Sequence, residues 1–461
     1  MKAQRYPRKT HMKTAFSQEL ITPILQNLHH SNAAFRQDYP GDFAERQPVH
    51  TVYGGAHIFK ADTVRKLGAI ALDTLKEYAP SASILAKALP LKGSAGEHRV
   101  LYERMVKKLR TEPVEDYRID FEDGYGVRPD AEEDYHAGFA AEEAARGMAE
   151  KTLPPFLGVR IKPFTEDLKA RSIRTLDIFV STLLERSGGK MPANFVVTLP
   201  KVTIPEHVAA LADILGILES EHNLAAGSLR LEIMIETPQS IISNQGVCPL
   251  PSLVDAGRGR CVAAHFGPYD YAALLNIAGA NQTIDHPACD FARHMMKAAL
   301  AGSGIRLSDG PTNVLPIGPH REAKQGKPLT AKQKKENRDV VYHAWQVGYK
   351  HITNSLKNGF YQSWDLHPAQ LPIRYAAVYS FFREELESTA FRLRTFVGKA
   401  AQATLIGDIM DDAATGQGLL NFFLRGITCG ALTQEEALTT GLTMDEIRSR
   451  SFVEILRKRK T

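Results

Sequence analysis

The chain has 461 residues, of which 43% are hydrophobic and 24% charged, a composition that fits a soluble globular enzyme and leaves length enough for one large core. Its formal net charge is only +5, from 57 Lys and Arg against 52 Asp and Glu. The purely basic runs are short and lack interleaved aromatics, so they read as solvated surface and argue against a nucleic-acid partner. No apolar run approaches the roughly 18–20 residues that span a bilayer, which argues against a membrane partner.

The start of the chain has basic residues but no apolar stretch of a secretory signal. The four cysteines, Cys248, Cys261, Cys289 and Cys429, form no CxxC pair. Both features predict a cytoplasmic protein with buried, reduced thiols.

Residues 1–49 are polar and mixed, with a helical stretch near 18–29, and read as an N-terminal arm. From 50 to 370 short β-rich runs alternate with helical stretches. The runs are HTVYGG (50–55), DYRIDFED (116–123), FLGVRIKP (156–163), NFVVTLPK (194–201), LRLEIMIET (229–237), CVAAHFGPYD (261–270), TNVLP (312–316) and GFYQSWDLHP (359–368). Helical stretches such as 61–79 and 205–223 lie between them. Strand–helix alternation predicts a parallel sheet, and eight units predict an α/β fold closed as a (β/α)₈ TIM barrel. Residues 371–461 read as a helical C-terminal extension.

In such a barrel the catalytic groups sit at the C-terminal ends of the strands. Here the second strand ends in Asp120, Glu122 and Asp123. The third carries Arg160 and Lys162, the fourth ends in Lys201, the fifth in Glu236 and the sixth in Asp270. Glu236 follows the apolar IMI, where an unpaired charge is costly. Two carboxylates from adjacent staves form a hard oxygen site of the kind that Mg²⁺ takes together with waters and substrate oxygens. Glu236 and Asp270 are therefore the expected metal ligands. The plainer reading has each cap the helix that follows it. Arg160, inside an apolar strand, must meet a carboxylate or a developing oxyanion. The acids of the second strand would orient it and the metal's waters.

These motifs, DFED, VRIKP, LPK, IET, FGxxD and DLHPAQL, run in an order that resembles the HpcH/HpaI aldolase and citrate lyase beta-subunit family and the related malate synthases, over roughly residues 50–385. The resemblance implies a barrel with a helical C-terminal part, usually a homo-oligomer. It also implies that Mg²⁺ or Mn²⁺ is held by Glu236 and Asp270, that Arg160 contacts the substrate carbonyl, and that Asp120, Glu122 and Asp123 work beside the metal. The first loop departs from the family: YGGAHIFKAD stands where an arginine is usual, so His57 and Lys60 become the candidates for an anionic substrate group. Gly267 and Pro268, in FGPYD, are expected to line the substrate.

The activity expected is carbon–carbon lyase or aldolase chemistry, or the reverse condensation, through the enolate of a 2-oxo acid or an acyl-CoA. Candidates for the proton acceptor are His57, Asp365, His367, Asp408, Asp411 and Asp412. A pyruvate–phosphoenolpyruvate phosphotransfer enzyme on the same barrel is the first alternative; a non-enzymatic scaffold or nucleic-acid-binding barrel is the second. GxGxxG, GxxxxGK[ST], GxSxG and HExxH are all absent, which leaves dinucleotide, P-loop, α/β-hydrolase and zincin chemistry without support.

Overall fold

In a computed structural model that describes residues 15–41, 46–321, 328–398, 404–406, 409–411 and 413–460, eight parallel strands close into a barrel in chain order. They are β1 (His50–Gly55), β2 (Asp116–Asp120), β3 (Phe156–Arg160), β4 (Phe195–Leu199), β5 (Arg230–Ile235), β6 (Cys261–Phe266), β7 (Arg306–Pro311) and β8 (Gln362–Asp365). β8 returns to β1, pairing Ser363 with His50 and Trp364 with Thr51, so the sheet has no open edge. The chain is thus a (β/α)₈ barrel followed by helices. Among the described residues, no helix is long and apolar enough to cross a membrane.

Seven of the strands fall inside the stretches read from the sequence; the seventh does not. It is RLSDGP at 306–311, six residues before the apolar TNVLP. Its Ser308 and Asp309 are buried, and the Asp309 carboxylate finds partners. Arg293 lies 3.2 Å from the Asp309 carboxylate, and the Ser355 hydroxyl donates to the same group at 2.6 Å. The C-terminal extension is helical, as expected, with one small addition. Two short strands, β9 (Thr404–Ile406) and β10 (Ile409–Asp411), pair antiparallel within it. The helices beyond them are tied back to the barrel through Glu436, which takes Arg104 and Arg383 at 2.9 Å each.

The outward side chains of the staves, among them Ile119, Val159, Val197 and Ile233, are fully buried under the helix layer. Helices cover the sheet all round, so whole strands are buried, as in β3 and β4. The bore is different. Arg118 of β2 donates to Thr198 of β4 at 3.0 Å and to both oxygens of Glu232 of β5 at 2.7 Å. Neither strand neighbours β2, so this guanidinium crosses the interior. The Thr198 hydroxyl donates to Glu232 at 2.5 Å, Asp116 pairs with Arg118, and His265 stands 3.3 Å from Glu232. Barrel interiors usually hold layers of Val, Ile and Leu. Here the floor beneath the mouth is an ion-pair network, tolerable in the bore because Arg118 meets both of its acids.

The N-terminal arm contains the helix Gln18–Asp38, none of whose residues is buried. Leu20, Ile24, Leu28 and Phe35 are each more than half exposed along it.

Candidate active site

The C-terminal mouth of the barrel gathers the acids that end β2, β5 and β6. Asp120 is buried. Its carboxylate accepts the N–H groups of Glu122 at 2.9 Å and Gly124 at 2.8 Å, which folds the chain back sharply after β2. Gly124 is required there, because a Cβ would stand 2.6 Å from that carboxylate. Arg160 grips the same group with two bonds, Nε to one oxygen at 2.7 Å and Nη2 to the other at 2.5 Å. Burial alone would raise the Asp120 carboxyl, but Arg160 and the two amides hold it below the usual carboxylate range.

The remaining end of the guanidinium, Nη1, lies 2.9 Å from Glu122, 3.4 Å from Asp123 and 3.8 Å from the Met234 sulfur. The Tyr53 ring lies under it at 4.8 Å and packs in turn on Trp364 at 4.5 Å. Arg160 is therefore pinned from three sides, with one nitrogen aimed at the acids of the mouth.

Glu236 follows β5 directly and is 1% exposed. Burial, together with the charges of Glu122 and Asp270, pushes its carboxyl up to about 8. Asp270, half-exposed, is also raised, by burial and by Asp123. The capping alternative does not hold for either residue. Thr237, not Glu236, caps the next helical turn, by accepting the Ser240 N–H. Gly267 is the N-cap of the helix Pro268–Leu274, and Asp270 lies inside its first turn. Gly267 matters for Glu236 directly, since a Cβ there would stand 2.4 Å from the carboxylate oxygen. Pro268 is buried and opens the helix, with its ring against Gly310.

Lys201, the residue that ends the β4 run, joins this group from both its backbone and its side chain. Its φ is +50°, a left-handed conformation that a residue with a Cβ adopts at a cost. In that conformation its N–H donates to Glu236 at 2.6 Å. Its ammonium pairs with Glu122 and lies 3.4 Å from Asp123 and 3.8 Å from Asp270. The neighbouring Lys162 turns away, to Glu133 at 2.7 Å.

The first-loop candidates lie apart from this cluster. His57 sits in the turn Ala56–Ile58 against Tyr125 and His136, with ring centres 5.7 and 6.1 Å away. Burial and the nearby Arg128 lower its pKa. Lys60 is exposed, and among the described residues it makes no ion pair. Two of the proposed proton acceptors are committed elsewhere. Asp365 is buried on Arg374 at 3.0 and 2.9 Å and on His50 at 2.9 Å, and these partners, Arg374 first, outweigh burial and bring its carboxyl down to about 2. His367 accepts the Ala369 N–H at 3.1 Å and shapes a turn. Asp408 and Asp412 lie outside the described residues, and only the backbone of Asp411 is described.

Among the described residues, no three His, Cys, Asp or Glu side chains are grouped to hold a metal ion. Two carboxylates, Glu236 and Asp270, stand at the mouth, with the Lys201 ammonium 3.8 Å from Asp270. A pair suffices for Mg²⁺, which keeps several waters and takes substrate oxygens. A cleft of about 850 Å³ leads outward from Glu122, Asp123 and Lys201 between the segments that follow β2 and β3.

Tyr53, Met234 and the Arg118–Glu232–His265 floor were not among the site residues expected from the sequence, and Lys201 was read only as a charge ending the fourth strand. A signal for the floor was present: Asp116, Arg118 and Asp120, like Glu232 and Glu236, recur at the two-residue period that puts side chains on one face of a strand.

The model of a family described as a domain of unknown function, DUF6986, matches residues 28–455. No curated protein matches the chain. Among solved structures, a citrate lyase from Burkholderia xenovorans LB400 is 20% identical over 76% of this chain and 94% of its own, with a TM-score of 0.51. A malate synthase from Haloferax volcanii is 15% identical over 90% of this chain and 99% of its own, with a TM-score of 0.44. The likeness to the citrate lyase, at 20% identity, shows the barrel fold.

Proposed function

The chain belongs to the DUF6986 family, and on its barrel we propose that it acts as a Mg²⁺-dependent carbon–carbon lyase, or the reverse condensing enzyme, on a small 2-oxo-acid or acyl-thioester enolate. The observation that carries this reading is the placement of Glu236 and Asp270, two carboxylates raised by burial and by neighbouring acids, at a barrel mouth beside Arg160.

Glu236 and Asp270 would hold the ion; Mn²⁺ satisfies the same oxygen donors. Bound there, the ion supplies a Lewis acid for the oxygen on which enolate charge develops. The residues of the chain do the rest. The Lys201 amide fixes one oxygen of Glu236, so that carboxylate is set before substrate arrives. Asp120 holds the Arg160 guanidinium in one orientation, and its Nη1 offers a permanent positive charge to a substrate oxygen at the mouth. Tyr53, Met234 and Trp364 close the floor beneath that charge and exclude water, which strengthens each electrostatic contact above them. In cleavage, the substrate hydroxyl gives its proton to water at the mouth as its oxygen becomes the departing carbonyl, the electron pair of the broken carbon–carbon bond passes to the enolate, and a proton returned from water to the enolate carbon completes the 2-oxo acid.

The exposed apolar residues of Gln18–Asp38 support assembly with further copies of the chain. A cytoplasmic setting fits a protein with four unpaired thiols.

The test is release of a 2-oxo acid from 4-hydroxy-2-oxo acids by the purified chain, with Mg²⁺ and after chelation, in wild type, Glu236→Gln and Asp270→Asn. Mg²⁺-dependent turnover that both substitutions abolish, together with loss of calorimetric Mg²⁺ binding, is expected. Full turnover after chelation, or a crystal soaked with Mg²⁺ and a 2-oxo acid that places the ion away from Glu236 and Asp270, would overturn it.

A further inference from the structure

We infer that the part of the substrate beyond the reacting bond is a large uncharged, mainly aliphatic arm, which lies in the cleft between the segments following β2 and β3. This rests on the lyase reading of the mouth and narrows it, because that reading leaves both a plain 2-oxo acid and a polyanionic acyl thioester open.

The first ground is size and continuity. The cleft shares Glu122, Asp123 and Lys201 with the candidate site and holds about 850 Å³. That is within the range of sites that enclose a drug-sized ligand, and far more than a three-carbon acid fills. A substrate held at the mouth by its 2-oxo-carboxylate therefore has room to extend in this direction.

The second ground is charge. The walls carry several cations, and four of them are held on three acids. Lys162 is on Glu133 at 2.7 Å, Arg174 on Asp134 at 2.6 Å, Arg171 on the same Asp134, and Arg128 on Glu132. The acid Asp167 has no ion pair among the described residues, and Asp130 has only a cation 4.0 Å away. The spare charge of the walls is therefore negative. With the five acids Glu132, Glu133, Asp134, Asp130 and Asp167 against the four cations, phosphates would meet a net negative wall, and stripping their hydration would be poorly compensated.

The third ground is the apolar lining that remains. Val127, on the rim, is fully exposed, and Pro163, Leu168 and Ala170 also line the cleft. An alkyl arm laid on these side chains removes apolar surface from water at both partners.

The experiment uses the full chain with Mg²⁺ and two matched series with straight arms of one to six carbons. One series is 4-hydroxy-2-oxo acids, assayed for release of the 2-oxo acid. The other is 2,4-dioxo acids, which have no hydroxyl to start the cleavage, titrated by calorimetry. Affinity and kcat/KM should rise about fourfold per methylene until the cleft is filled. Val127→Asp, an exposed position outside the catalytic cluster, should flatten the rise and leave the one-carbon member unchanged.

Flat binding across the dioxo series, an unchanged slope in Val127→Asp, or tighter binding of an arm ending in a phosphonate would each overturn the inference. Rising affinity without cleavage of any member would leave the arm where it is placed and defeat the lyase reading instead.

Discussion

The backbone N–H of Lys201 donates to the Glu236 carboxylate at 2.6 Å, while the ammonium of the same residue reaches toward Asp270 at 3.8 Å. One residue thus positions the first proposed metal ligand and balances the second. Lys201→Gly separates the two effects, because glycine keeps the N–H and adopts φ near +50° without strain. With the competing cation gone, Mg²⁺ should bind about tenfold more tightly by calorimetry. Without metal, the variant should melt a few degrees lower, since repulsion among Glu122, Asp123 and Asp270 is less opposed. Weaker Mg²⁺ binding in the variant would show that the ammonium assists the ion rather than standing in for it.

The Glu236 carboxyl, at about 8 in the fold against an ordinary 4.5, ties stability to pH. Its protonated form is the one the fold favours. The contribution is complete below about pH 4 and is lost as pH rises through the folded value. In metal-free buffer Glu236→Gln should therefore gain on the wild type between pH 5 and 8, by an amount on the order of a few kcal/mol, and the gap should level off above that. Urea unfolding at pH 5, 7 and 9 measures this. A gap that shrinks with rising pH would contradict it. Saturating Mg²⁺, which needs the ionised carboxylate, should favour the wild type instead.

Gly267→Ala tests how closely Glu236 is fitted. The added methyl would meet the carboxylate oxygen at 2.4 Å and the Glu236 Cβ at 2.5 Å, so the side chain must shift. Mg²⁺ affinity should fall at least tenfold while circular dichroism stays that of the wild type. Unchanged affinity would mean that Glu236 is not a ligand.

The floor of the bore should respond differently. Glu232→Ala leaves the Arg118 guanidinium buried with only Asp116 as its acid and should cost about 3–5 kcal/mol in denaturant unfolding. Mg²⁺ affinity, measured well below the melting temperature, should stay within a factor of two or three. A large loss of affinity would show that the floor also sets the geometry of the mouth.

Much of this was legible in the sequence. Strands such as NFVVTLPK and LRLEIMIET announce themselves by apolar runs that end in charge, and the acids at 120–123, 236 and 270 mark the mouth because charge is expensive after such runs. β7 was not legible. RLSDGP looks like a loop because its strand character rests on Asp309 meeting Arg293 and Ser355, which lie outside the strand, 16 and 46 residues away. TNVLP, more apolar, drew the reading away. The role of Lys201 was hidden for another reason: LPK shows a lysine at a strand end, but nothing local reveals a left-handed backbone aimed at a carboxylate from the next stave. Asp365 misled in the opposite sense, since its position after β8 suggests catalysis and its partners Arg374 and His50 give it a structural task.

The pairing of β8 with β1 has a consequence for how the molecule is made. His50 finds Ser363 only after nearly four-fifths of the chain has left the ribosome. The staves that carry Asp120, Arg160, Glu236 and Asp270 are synthesised well before that, so a nascent open sheet holds the acids of the mouth before the ring can shut around them. Dissolved divalent ions that quiet this repulsion should speed the final closure, and refolding would then quicken with Mg²⁺ even where no substrate is present.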